Sequence, residues 1–265
     1  MDKNLYKVTV VTVVFNDAAH IEGTLQSVTG QTYKNVEYIV VDGKSTDGTT
    51  DLIRRYSDKI TKWISEPDRG IYDAMNKGLA LATGDYVIFM NSGDVFADGS
   101  VLEHVFDSVE GRPDVIYGHT IGRHKNGRLR QRLLPFYEAD EYCATVGICH
   151  QSVLVKTDKA KRLMFDLGYK VCADHKMLYD LHNERATFVE YKGDIAEIIC
   201  DEGYSDKHLA LKLNERGRIY GINNDVKFKL FLLKEYAFNC LRTLFRLLEP
   251  TSVRNYRFRH KSGTV

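Results

Sequence analysis

The sequence of 265 residues contains four prolines, one tryptophan and no apolar stretch long and uncharged enough to span a bilayer. So little proline excludes a Pro-rich linker between domains. The five cysteines, Cys143, Cys149, Cys172, Cys200 and Cys240, are odd in number and show no CxxC or zinc-type spacing. A disulfide framework and a zinc module are excluded on that count, and the thiols are read as reduced. Neither sign of charge dominates: 37 Lys/Arg face 36 Asp/Glu, a net of +1, which argues against nucleic-acid binding. The N-terminus MDKNLYKVTV carries Asp2 and a short apolar run from Val8 to Phe15, too short for a secretion signal. A cytoplasmic chain is expected. With 43% hydrophobic and 28% charged residues, intrinsic disorder and a fibrous protein are excluded as well.

What is present begins as alternating apolar runs and helical patterns, the mark of parallel strands covered on both faces. Val8–Val14 (VTVVTVV), β-branched almost throughout, predicts a central strand, and Val36–Val41, Ile60–Ile64 and Tyr86–Met90 predict three more. Between them, helices are predicted over Ala18–Thr29, from a cap at Thr46 with Asp47 in its first turn, and over Ile71–Ala82. Further on, strands are predicted at Asp114–Gly118, Val153–Lys156 and Phe188–Tyr191, a hairpin turn at Asn126-Gly127, and a helix at Ala173–Asn183. The expected fold is α/β, a Rossmann-like, mainly parallel sheet. Residues 1–225 would form one domain, in halves 1–110 and 111–225, and residues 226–265 would form a helical tail.

No G-x-G-x-x-G follows the first strand, so the dinucleotide fingerprint is absent and a dehydrogenase is disfavoured. Polar residues instead follow successive strands: Asn16, Asp42, Asp68, and the string Asn91-Ser92-Gly93-Asp94. In open α/β sheets such strand ends face the ligand crevice. Asp42 reads equally as an acceptor for a base or ribose and as a turn carboxylate for the STDGT segment. Asp94, behind the turn-forming Gly93, is suited to a hard divalent cation that offsets a diphosphate.

The segments VTVVTVVFNDAAHIEGTLQSVTGQTYKNVEYIVVDGKSTDGT and SEPDRGIYDAMNKGLALATGDYVIFMNSGD resemble the family 2 glycosyltransferases of the GT-A fold, in the branch that builds bacterial capsule, exopolysaccharide and O-antigen. The resemblance implies that Thr12, Val14 and Asn16 line the nucleotide, that Asp42 binds the base, and that Asp68, Asn76, Ser92 and Gly93 flank the donor. Asp94 would be the metal ligand for Mn²⁺ or Mg²⁺. Ser92 stands where the family's DxD motif has its first aspartate, and Met75 where many relatives have arginine, leaving Lys77 or Arg69 as substitutes. In Cys172-Ala173-Asp174-His175, Asp174 matches the family's catalytic base, Ala173 replaces a glutamate, and His175 is the runner-up. A carboxylate at a helix N-terminus stays ionised and able to take a proton. On the acceptor side the resemblance points to His150, within GICHQS, and to Tyr204, within a covering segment Gly203-Tyr204-Ser205; Tyr72 and Asp73 either line the sugar pocket or pack there.

Residues 226–265 hold nine Lys/Arg and two Asp/Glu, a net of +7 against −6 for residues 1–225. Glu235, Asn239, Arg242 and Arg246 share one helical face away from Phe231, Phe238, Leu241 and Phe245. That pattern predicts a helix lying on an anionic membrane surface, with packing on the domain or on a second copy of the chain as the alternative. The implied function is an inverting transfer from a nucleotide-diphosphate sugar, UDP-sugar by preference, to a saccharide or polyprenyl-diphosphate-linked acceptor at the inner face of the cell membrane. A catalytically silent nucleotide-sugar-binding subunit is the alternative, and a nucleotidyltransferase is disfavoured because no Gly-rich phosphate loop follows the first strand.

Overall fold

The computed structural model describes residues 6–123, 129–132, 149–200, 208–230 and 232–234. The first strand, β1 (Val8–Val14), is buried at every position, as a β-branched run enclosed on both faces must be. It pairs in parallel with β2 (Val36–Asp42), Val14 opposite Asp42, and with β4 (Tyr86–Phe89), Val11 opposite Phe89. β3 (Lys62–Ser65) extends the sheet beyond β2, with Ser65 opposite Asp42. These registers bring the carboxyl ends of β1, β2, β3 and β4 to one edge. Beyond β4 the direction reverses, because β8 (Val153–Lys156) runs antiparallel to both β4 and β6 (Val115–Arg123). β9 (Phe188–Ile199) is parallel to β6 and antiparallel to β5 (Val95–Phe96), and β7 (Leu129–Arg132) flanks β6. The described strands thus form one nine-stranded sheet, eight of them ordered β3-β2-β1-β4-β8-β6-β9-β5 and β7 paired with β6 off that path, which runs without a break through residues on both sides of position 110.

Helices cover both faces. α3 (Ile71–Leu81), α5 (Thr157–Leu163), α6 (Ala173–Asn183) and α7 (Leu209–Ile219) contribute Met75, Leu79, Ala160, Leu178 and Ile219 to a core with Val11, Val13, Ile39 and Val41. On the other side α1 (Ile21–Thr29), α2 (Thr49–Arg55) and α4 (Val101–Ser108) place Leu25, Ile53 and Leu102 against Val8, Val10 and Val40. The alternation of β1 feeds both cores, each fully buried aliphatic side chain contributing about 1.5–3 kcal/mol. α3 lies close on the sheet because residue 78 is glycine: a Cβ there would stand 2.4 Å from Val11 Cγ1.

Several local expectations are corrected. α1 begins at Ile21 because the carbonyl of Asp17 first closes a turn on the N–H groups of His20 and Ile21. α2 is preceded by Gly48 in the left-handed region (φ 99°), and Asp47, not Thr46, accepts the N–H of Thr49. β6 and β9 run past the predicted ends to Arg123 and Ile199, since pairing with each other sustains residues whose own pattern is weak. β5, α4, α5 and α7 had no predicted counterpart. Asn126-Gly127 lies outside the described residues, between strands that pair antiparallel with Arg123 opposite Leu129. Cys149, Cys172 and Cys200 form no disulfide with one another; Cys143 and Cys240 lie outside the described residues.

After α7 the chain is helical again at 226–230 and 232–234. Phe228 is buried to 1% against Gly217 of α7, while Val226, Leu230 and Leu233 are exposed at 69%, 60% and 65%. No helix among the described residues is long and apolar enough to cross a membrane.

Candidate functional site

At the end of β1, Asn16 takes a left-handed conformation (φ 49°) and fastens the loop after β2: its N–H donates to Ser45 Oγ at 2.7 Å, and its Oδ1 accepts the N–H of Thr46 at 2.8 Å. Asp42, fully buried, accepts from the Ser65 hydroxyl at 2.5 Å and from the Ser45 N–H at 3.1 Å. Asp68 comes to the same place, since a Cβ on Gly43 would lie 2.5 Å from its Oδ2. Thr12 and Val14 are buried within the sheet, Thr12 sharing a hydrogen bond of 3.0 Å with the Tyr38 hydroxyl. Asn76 has both ends of its amide on the backbone N–H and C=O of Phe165, 2.8 Å each, and so ties α3 to the loop before α6.

The turn after β4 is held from α1. Gly93 (φ 93°) donates its N–H to Thr24 Oγ1 at 3.0 Å, and the Thr24 hydroxyl donates to the Asp94 carbonyl at 2.8 Å. Ser92 donates to Asp17 Oδ2 at 2.7 Å, while Asp17 Oδ1 meets His20 Nδ1 at 2.6 Å. The Asp94 carboxylate is 8% exposed and accepts from Gln151 Nε2 at 2.7 Å, with the Ile199 N–H at 3.4 Å. Burial pushes its pKa up to about 6 despite Gln151 and the nearby His150.

Asp174 has the opposite balance. Burial works against its ionisation, but the hydrogen bond and the charge of His150, with hydrogen bonds from the His175 N–H and Tyr72, outweigh it and hold the pKa at about 2. His150 Nδ1 lies 3.0 Å from Asp174 Oδ2, the Tyr72 hydroxyl donates to Oδ1 at 2.9 Å, and the His175 N–H donates to Oδ1 at 2.8 Å. On its other side His150 Nε2 is 2.8 Å from Asn91 Nδ2. Protonated on Nδ1, the ring donates to the carboxylate, while Nε2 faces the Asn91 amide. The chain Asn91–His150–Asp174–Tyr72 therefore joins the turn after β4 to the start of α6. His175 faces away, with Nε2 2.8 Å from the Tyr220 hydroxyl, and burial followed by the nearby Arg216 lowers its pKa to about 4.

Beside this chain lies a cavity of about 340 Å³ between the start of α3 and the 167–170 turn, with Tyr72, Ile71, Leu167 and Tyr169 in its wall and Arg69 and Lys170 among its lining. Tyr72 thus belongs to the cavity and to the Asp174 cluster together. Tyr204 lies outside the described residues. The support given by Asp17 and Gln151 has only a faint signal in the sequence, each being the polar neighbour of a residue already singled out, Asn16 and His150.

Residues 9–179 match the model of the family "Glycosyl transferase family 2". A PGL/p-HBAD biosynthesis glycosyltransferase of Mycobacterium tuberculosis is 30% identical over 171 residues, covering 62% of this chain and 65% of that protein. Among solved structures, TarS of S. aureus in complex with UDP-GlcNAc aligns with a TM-score of 0.60 at 19% identity over 76% of this chain and 61% of that one. The mannosyltransferase PcManGT from Pyrobaculum calidifontis, in complex with GDP-Man and Mn²⁺, aligns at 0.59 and 17% identity over 95% and 83%. The aligned region thus spans about three fifths of the TarS chain and about two thirds of the mycobacterial relative. With a family match over more than half its length and the sheet order described above, the chain belongs to glycosyl transferase family 2 and is a glycosyltransferase of the GT-A fold.

Proposed function

We propose that this glycosyltransferase moves a sugar, with inversion, from a UDP-sugar to a saccharide or polyprenyl-diphosphate-linked acceptor in the synthesis of a cell-surface glycan. The observation that carries the reading is the continuous link from the Asn91–Asp94 turn to Asp174, which sets a donor-side acid and an acceptor-side base on one crevice. Asn16, Asp42 and Asp68 surround the base and ribose, over a floor that includes Thr12 and Val14. Ser92 and Gly93 flank the diphosphate. Asp174 accepts the acceptor's hydroxyl proton as that oxygen bonds to the anomeric carbon, and the bond to the diphosphate breaks with its electron pair leaving on phosphate. A carboxylate with a pKa of about 2 is a weak base at rest but is always ionised, and it suffices where the proton moves late, after the attacking oxygen has become acidic. The cavity that shares Tyr72 with Asp174 is the entry for the acceptor.

The donor set fits a divalent cation held jointly with the donor's phosphates. Asp94 is the single acid of its turn, its buried charge is poorly compensated, and Asn91 Oδ1 is buried with no hydrogen-bond partner. Mg²⁺ or Mn²⁺ is commonly bound through one or two carboxylates together with substrate phosphates, and Asp94 would supply the carboxylate here. When bound, such an ion neutralises the charge of the departing diphosphate. The exposed Val226, Leu230 and Leu233, at i, i+4 and i+7, support a tail that rests on the anionic inner face of the cell membrane, with a second copy of the chain as the competing occupant.

The test is thermal stabilisation by a panel of nucleotide sugars with and without Mn²⁺, since a true ligand stabilises by mass action. UDP-sugars should stabilise, and more strongly with the metal; stabilisation by none, or by GDP-sugars alone, overturns the donor assignment.

A further inference from the structure

The first turn of α6 carries Asp174, which accepts the His175 N–H, while Cys172, the residue before the helix, makes no side-chain cap hydrogen bond. The free N–H groups that precede a helix need acceptors when buried. Here they find one 43 residues away in sequence. Glu215 of α7, 2% exposed, accepts the N–H of Lys170 on Oε1 at 2.6 Å and those of Val171 and Cys172 on Oε2 at 2.9 Å each. Two residues further on stands Asp174. The same turn is gripped from the other side by Tyr72, whose hydroxyl reaches the Val171 carbonyl at 2.8 Å and Asp174 Oδ1 at 2.9 Å. α7 and the residue after it add two more contacts, from the Cys172 thiol to the Lys212 carbonyl at 3.5 Å and from Tyr220 to His175.

We propose that Glu215 is a positioning residue for catalysis: its carboxylate anchors, from α7, the backbone segment that leads into α6 and thereby sets where Asp174 stands. The inference rests on Asp174 being the base. A carboxylate that gathers three consecutive N–H groups fixes the path of the backbone leading into α6, whereas an apolar contact would leave it free to slide. Because Tyr72 spans Val171 and Asp174, a shift of the 170–172 turn also loosens the hydrogen bond that helps keep Asp174 ionised. The titratable and charged groups facing Asp174 are Tyr72 from α3, His150 from the turn before β8, and Cys172 and His175 from its own segment, with Arg216 and Lys212 of α7 acting on Cys172 and His175.

The full-length Glu215→Gln protein tests this, with Glu215→Asp as a second variant that keeps the charge and folds if the amide does not. UDP affinity in Mn²⁺ and the thermal midpoint serve as controls for the intact donor side. Expected are near-normal UDP binding, faster amide exchange confined to residues 170–175, and an Asp174 carboxyl titration, read by ¹³C NMR, displaced toward higher pH. With the nucleotide sugar selected by stabilisation, kcat should fall by on the order of a hundredfold while the donor KM stays within about twofold. An unmoved Asp174 titration with normal exchange at 170–175, or a loss spread evenly over KM and thermal stability, overturns the proposal. Asp174→Asn measured alongside separates the two readings. If that variant turns over normally, the base assignment fails; if it is inactive while both Glu215 variants keep wild-type kcat, the positioning role alone fails.

Discussion

Two carboxylates on one crevice, buried Asp94 after β4 and half-buried Asp174 at the start of α6, respond to desolvation in opposite ways. Asp94 receives one amide donor and one long N–H and is driven up to about 6; Asp174 receives a hydroxyl, an imidazole N–H and a backbone N–H and is held at about 2. Burial costs both, so the difference lies in how many donors the surrounding elements bring. The acid of the α6 region is compensated by donors of the protein itself, whereas the acid of the β4 turn has few, as the proposed cation site requires. The two sites can therefore be separated by experiment.

The largest effect belongs to Asp174→Asn. Turnover should fall about 10²- to 10⁴-fold, the usual weight of a general base, with UDP affinity unchanged. Turnover within a few-fold of wild type would break the comparison by removing the base from α6. The same variant should also be less stable than wild type at neutral pH, because it puts an amide among three donors.

Asp94→Asn should go the other way in stability. Its folded-state pKa is raised, so the folded protein keeps a proton that the unfolded chain has lost, and this group weakens the fold as pH rises from the ordinary carboxylate range through about 6. Removing the charge should raise the melting temperature of the ligand-free protein at pH 8 by a few degrees while abolishing the Mn²⁺ dependence of UDP binding. In the wild type, Mn²⁺-dependent UDP affinity should decline as pH falls through about 6, as protons compete for the carboxylate. Calorimetry that finds a flat affinity from pH 5 to 8 would remove the metal from Asp94.

A third carboxylate sharpens the contrast at the opposite end of the strands. Glu37 is 6% exposed, bonded to Lys7, Thr9 and Thr83, and held at about 2, burial again being outweighed by donors. Its stabilising effect is present above the ordinary carboxylate range and lost as pH drops toward about 2. Glu37→Gln should cost about 1–3 kcal/mol in denaturant unfolding and leave turnover alone, marking a compensated acid with a structural task. The smallest effect is expected from Leu230→Asp with Leu233→Asp: a several-fold loss of co-sedimentation with anionic vesicles, with residual binding weakened further by salt, since each basic residue near such a surface contributes about 1 kcal/mol. Unchanged vesicle binding together with loss of a dimer in sedimentation would assign that face to a second copy of the chain.

The legibility of the molecule followed the range of the forces involved. β1, β8 and α6 lie where the pattern places them, because a β-branched run buried on both faces and an eleven-residue amphipathic stretch are specified by near neighbours. β5 and the far ends of β6 and β9 were not legible, since what makes them strands is each other. At the site, the polar residues after β1, β2 and β4 were visible as a series. Asn76 shows the opposite limit: its motif suggests the donor, yet its amide is taken up by Phe165, 89 residues away.

The sequence by itself determined the alternation of strand and helix through residue 90, the gathering of polar residues at the strand ends, and the acid in the first turn of α6, all consequences of periodicity and local backbone preference. Only the tertiary structure decided which of those groups are joined. The reversal of direction at β8 brings His150 and Gln151 to the ends of the parallel strands, so that Gln151 meets Asp94 across 57 residues and His150 meets Asp174 across 24. α7 then folds back to place Glu215 on the segment that leads to Asp174. Contacts of that kind depend on sheet order and on the burial of a whole layer, and the energy that selects them is shared among cores that no single segment contains.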